Sequence, residues 1–123
     1  MTAVQVAVYG AAIYFFGFGA GFVVRPELAD QLGLKWLNAA GKTEVRCYYG
    51  AVSWALAAFL IYLDRQGHPV DAVTGVLFLA TAVFVMRIIG TTIDGGWAER
   101  YSRIAIPVEG LFVIVVGVIR LTA

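Results

Sequence analysis

The sequence predicts an all-α integral membrane protein, a bundle of four helices with a short interfacial helix between the first and second spans. Three observations predict it. Hydrophobic residues make up 61% of the chain and charged residues 14%, where a soluble domain carries roughly a quarter charged residues. One domain of 123 residues cannot bury so much apolar surface in its own core, so the surplus faces lipid. The apolar residues also fall into four long runs separated by charged residues, proline or glycine, as membrane spans do.

The first span, Val4 to Val24, carries no charge. At about 1.5 Å per residue it covers a hydrocarbon core of about 30 Å. A signal peptide would start with basic residues and end at a small-residue cleavage site. This run has no basic start and is followed by Arg25-Pro26, so it reads as a retained helix. Gly10, Gly17 and Gly21 fall near one face with Tyr14, and Gly17 with Gly21 has the spacing that permits close helix approach. Pro26 stops the span. Beyond it, Leu28, Leu32, Trp36 and Leu37 recur at helical spacing. They predict a short helix over Pro26 to Leu37 lying flat at the interface, with Trp36 at headgroup depth.

The second span is expected over residues 43–63, capped by Thr43 and closed by the polar turn Asp64 to Pro69. The third covers 70–93. Asp71 suits its first turn by helix-dipole logic, and Asp94-Gly95-Gly96 ends it. The fourth covers 101–121, finishing at Arg120. Pro107 falls early in that run, where a kink or a late helix start is expected. Four spans leave both termini on one side. The loops on the other side hold Arg25, Lys35, Lys42, Arg100 and Arg103, against Arg65 and Arg120 at the terminus side. By the positive-inside rule the basic loops face the cytoplasm and both termini lie outside.

The net charge of +1 gives no electrostatic basis for a nucleic-acid partner. The single Cys47 excludes an internal disulfide and a cysteine-based metal site, and no metal or cofactor motif is present. Cys47 reads as a small apolar packer and His68 as a surface histidine in a polar loop.

The chemistry is concentrated where Ala40-Gly41-Lys42-Thr43-Glu44-Val45-Arg46-Cys47-Tyr48-Tyr49-Gly50 opens the second span. Glu44 and Arg46 fall in its first turn. Arg87, late in the third span, and Glu109, early in the fourth, come to the same half of the membrane although the chain reverses between spans. Charges inside a span cost several kcal/mol when exposed to lipid, so the economical arrangement turns all four inward, with Glu109 paired to Arg87 or Arg46. Arg46, Tyr49, Gly50 and Ser53 share one helical face. The expected site is a polar cavity lined by Arg46, Tyr49, Arg87 and Glu109, with Glu44 and Asp94 nearer its mouth. Guanidinium groups, a carboxylate and a phenol in a partly dry site suit an anionic or carbonyl headgroup. The alternative is a charge network that only fixes helix register.

The block Ala40-Gly41-Lys42-x-Glu44-x-Arg46-x-x-Tyr49-Gly50 resembles that of a bacterial family of small four-helix membrane proteins, catalogued as domain of unknown function 4345. The resemblance extends to Arg87 and the Asp94-Gly95 turn. It departs at Ala51, where many such blocks carry a second glycine. It implies the same fold and a bacterial inner-membrane address, and no activity. The size is also similar to that of small multidrug exporters, but those place an acid in the first helix and this first helix has none.

Three functions remain open from sequence. One is binding or transport of a small amphipathic or lipid-like molecule. The second is a membrane-embedded enzyme on a hydrophobic substrate, with Glu109 as general acid or base and Arg46 and Arg87 stabilising negative charge. The third is an accessory or assembly subunit. Membrane lipids are the expected surroundings, and whether the chain is a monomer or a homodimer is left open.

Overall fold

The computed structural model describes residues 1–123 and is all-helical, without strands. Four helices are long and apolar enough to cross a membrane: α1 (Ala3–Val24), α2 (Ala39–Arg65), α3 (Pro69–Asp94) and α4 (Arg100–Leu121). The chain forms two compact units. Val8–His68 holds most of α1, the connection after it, and α2; Pro69–Ala123 holds α3 and α4, together with Met1–Ala7. Fully buried positions are mostly small or β-branched, including Val8, Ala29, Ala72 and Val73, whereas Ile13, Phe78, Val108 and Leu111 are exposed. Large apolar side chains outside and small ones inside is the distribution of helices that pack closely in lipid.

In the first unit, α1 and α2 meet at Gly19 and Gly50. A Cβ on Gly19 would lie 2.7 Å from the Gly50 carbonyl oxygen and 2.6 Å from Cδ1 of Trp54. The Trp54 indole N–H donates to the carbonyl of Phe16 at 3.0 Å, beside the stacked Phe16 and Trp54 rings. The close approach therefore falls at Gly19 and not at the expected Gly17–Gly21 pair. A side chain on Gly10 or Gly17 would meet nothing within 4 Å, and one on Gly21 only the flexible end of Leu28.

The connection is helical over Pro26–Leu32 only, as a 3₁₀ segment with Pro26 and Ala29 buried. Gly33, at φ 78, ends it in the left-handed conformation that glycine adopts without strain. The expected interfacial helix is thus shorter than residues 26–37. Trp36 and Leu37 lie beyond it, and Leu37 is fully exposed.

The start of α2 also differs. Asn38, in extended conformation, accepts from the Gly41 amide at 3.1 Å, satisfying one of the first-turn donors that a helix leaves open. The helix begins at Ala39, about a turn before Thr43, which lies inside it. Glu44 and Arg46 consequently sit in the second turn. Next comes a six-residue π-helical turn, Arg46–Ala51, whose i→i−5 pattern ends with the Val52 amide bonded to the Cys47 carbonyl. Ser53 Oγ donates to the Tyr49 carbonyl at 2.9 Å.

In the second unit, α3 and α4 run antiparallel. Thr74 meets Arg120, Leu77 faces Gly117, Phe84 faces Gly110 and Arg87 meets Glu109. Asp71 lies in the first turn of α3, and Gly95, at φ 72, stops the helix after Asp94. A short 3₁₀ turn, Gly96–Ala98, leads to Glu99 and α4. Pro107 is inside α4, which starts at Arg100, so the late helix start does not occur. Pro107 removes one backbone donor from the ladder.

Candidate functional site

Arg87 lies seven residues before the end of α3, about 10 Å into the helix. Antiparallel packing brings Glu109 of α4 to its level. The Arg87 Nε–H donates to both carboxylate oxygens, at 2.9 Å to Oε1 and 2.7 Å to Oε2. The Tyr101 ring lies beneath the guanidinium, with its centroid 5.4 Å from Cζ. A charge-assisted hydrogen bond at the edge and a cation–π contact on the face together neutralise a cation that would be costly inside a span. The pair is not sealed: each side chain keeps 26% of its accessible surface. Of the two partners expected for Glu109, Arg87 is the one it meets.

Tyr101 was not singled out by the sequence reading, although the signal is present. It precedes Glu109 by two steps of four residues, so the two lie along one stripe of α4.

Asp94 is the last residue of α3, exposed and outside the Arg87–Glu109 pair. Glu44, Arg46 and Tyr49 belong to the unit formed by α1 and α2. Glu44 and Arg46 are exposed on α2. Tyr49 is half-buried in an aromatic cluster, its ring centroid 5.3 Å from that of Phe22 and 6.4 Å from that of Phe18. Cys47 is an exposed thiol on the π-helical turn and not the small apolar packer expected.

Three polar contacts escaped the sequence reading. Lys42 Nζ lies 3.5 Å from Glu27 and 5.7 Å from the Trp36 ring centroid, joining α2 to the connection. Gly41 makes room there, since a Cβ on it would stand 2.8 Å from Cβ of Trp36. The Glu27 carboxyl is held below its ordinary range, first by its own backbone hydrogen bond and then by the charges of Lys42 and Arg46, against the opposing effect of its partial desolvation. Tyr9 donates to Asp64 at 2.8 Å, and Arg120 Nε donates to Thr74 Oγ1 at 2.7 Å. The last two join residues 55 and 46 positions apart, so only knowledge of the helix packing makes them visible.

No three His, Cys, Asp or Glu side chains converge in a group able to hold a metal. The Arg87–Glu109–Tyr101 cluster offers a guanidinium, a carboxylate and an aromatic face. That set can form ionic, hydrogen-bond and cation–π contacts, and it contains no nucleophile with an adjacent base. Comparison with known proteins gives no matching protein family, no matching curated protein and no matching solved structure.

Proposed function

We propose that the chain is a four-span bundle of the bacterial inner membrane, with both termini outside and the fold of the family its second-span block resembles. It binds a small amphipathic or lipid-like molecule at the level of Arg87 and Glu109. The carrying observation is an ion pair set about 10 Å inside a helix that keeps a quarter of its side-chain surface accessible. A pair that only holds two helices in register needs no accessible surface. A reachable guanidinium instead takes a carboxylate, phosphate or carbonyl headgroup in place of Glu109, since its fork geometry suits each. The apolar part of such a molecule has exposed Phe112, three residues beyond Glu109, to lie against.

A second reading is favoured by a different observation. One N–H shared by both Glu109 oxygens, with Tyr101 on the guanidinium face, closes the cluster on itself, which suits a purely structural pair.

Thermal unfolding of the detergent-solubilised protein separates the two readings. The probes are single-chain carboxylates, phosphates and neutral amides of matched chain length. Binding at saturating ligand raises Tm by several degrees, and Arg87→Gln abolishes the rise. A panel without any shift, with Arg87→Gln changing only the ligand-free Tm, establishes the structural reading.

A further inference from the structure

The π-helical turn Arg46–Ala51 separates two differently anchored halves of α2. The upstream half is held by the connection through Gly41 against Trp36 and Lys42 against Glu27 and Trp36. The downstream half is held by α1 through Trp54, with Gly50 of the turn itself packed against Gly19. In an uninterrupted α-helix each residue turns about 100°, so Lys42 would sit about 120° around the axis from Trp54. A turn closed by i→i−5 bonds takes in one residue more. It removes about 100° of rotation and brings Lys42 close to the face of Trp54. Trp54 bonds to α1, and the connection leaves directly from α1 at Pro26. The surplus residue is therefore what lets both halves of α2 face the same neighbour.

We propose that this turn is a two-register latch for the connection Pro26–Leu32. With the wide turn in place, Lys42 engages Glu27 and Trp36, and Ala29 in the connection is buried. Converting the turn to ordinary α-helix rotates Ala39–Val45 by about 100°, withdraws Lys42 from Glu27 and releases the connection. The two states are close in free energy for a stated reason. The π-helical turn is an intrinsically rare form, while the contacts that oppose its relaxation are few: Gly41 against Trp36, Lys42 over the Trp36 ring, and a Lys42–Glu27 pair whose side chains are 38% and 59% exposed. Exposed ion pairs and cation–π contacts contribute little. The groups facing Glu27 in this state are Lys42 and Arg46 of α2 together with its own backbone amide.

Deletion of Tyr48 tests the latch. Tyr48 is exposed, and removing one residue from the turn gives a straight helix that still presents Lys42 near the face of Trp54, about 20° away, so the latch stays shut with no second register available. The readout is maleimide labelling of a cysteine placed at the fully buried Ala29, Ala29→Cys, in a Cys47→Ser background. Labelling in the deletion variant is expected to slow by about tenfold or more, as a lost opening reaction would dictate. Inserting one alanine after Glu44 in that variant restores the residue count and the original rate. Raising ionic strength speeds labelling in the parent and not in the deletion variant. Labelling of the deletion variant at the parent rate or faster overturns the proposal, whether the connection opens by another route or the deletion unfolds the unit. An alanine insertion that leaves labelling slow also overturns it.

Discussion

Gly19→Ala is the substitution for which the structure gives the firmest energetic forecast. The added Cβ would stand 2.7 Å from the Gly50 carbonyl oxygen, 2.6 Å from Trp54 Cδ1 and 2.9 Å from Trp54 Nε1. The carbonyl belongs to backbone and cannot swing aside. Either α1 and α2 separate locally, or Trp54 rotates and gives up its 3.0 Å bond to the Phe16 carbonyl. Overpacking costs about 1–3 kcal/mol and loss of the indole hydrogen bond about 0.5–1.5 kcal/mol. Replacing glycine by alanine inside a helix returns about 1 kcal/mol. The net expectation is a destabilisation of about 1–3 kcal/mol, the balance of those three terms. Gly17→Ala is the internal control. It lies two residues away on the same helix with nothing within 4 Å, so only the propensity gain applies, up to about 1 kcal/mol of stabilisation. Reversible unfolding in mixed micelles, followed by helical circular dichroism, measures both. A Gly19→Ala protein as stable as the parent, or a Gly17→Ala protein equally damaged, refutes the crossing point at Gly19 and Gly50.

Tyr9→Phe removes the donor to Asp64 and is expected to lower stability in the same unfolding measurement by loss of that hydrogen bond; unchanged stability would show the contact is not formed. Asn38→Ala is expected to lower stability by about 1 kcal/mol through loss of the cap, whereas Thr43→Ala leaves it nearly unchanged; the reverse order would restore Thr43 as the helix start. Acidification is expected to loosen the connection. The folded Glu27 carboxyl titrates below its ordinary 4.5, so its contribution is fully present above that pH and is lost as pH falls through the depressed value. Trp36 emission, recorded with Trp54 and Trp97 replaced by phenylalanine, should shift to the red in that acid range and not in Glu27→Gln; identical profiles for the two would contradict this.

The four helices were readable from the sequence because their determinant is the length of an uncharged or sparsely charged run. α1 and α4 begin within one residue of the expected spans and end at the expected residues, and α3 differs by one residue at each end. The start of α2 was misplaced because Asn38 lies outside the apolar run, and a cap is chosen by backbone geometry that hydropathy does not register. The pairing of Arg87 with Glu109 was also readable. Antiparallel neighbours at similar depth leave few partners for a charge inside a span. Tyr101 followed from the same helical spacing and was overlooked. The π-helical turn could not have been found by periodicity, because every face assignment in Glu44 to Ser53 assumed about 3.6 residues per turn. That assumption put Tyr49 on the cavity face with Arg46, where the phenol lies among Phe18 and Phe22; Cys47, expected as a small apolar packer from its residue type, is exposed on the wide turn. Gly19 escaped for a related reason. Three glycines on one face look alike in sequence, and only the neighbouring helix selects which one is crowded.

A double-mutant cycle between Arg87 and Glu109 tests the central claim most directly. The variants are Arg87→Met, Glu109→Gln and the pair together, with unfolding free energies measured in mixed micelles. Removing one partner leaves a partly buried charge between α3 and α4 without compensation. That costs about 3–5 kcal/mol for a fully buried pair, and less here because a quarter of each side chain is exposed. The account predicts that the double variant is more stable than the sum of the single losses allows, by a coupling of about 1–3 kcal/mol. Strict additivity, with coupling under about 0.5 kcal/mol, would contradict it.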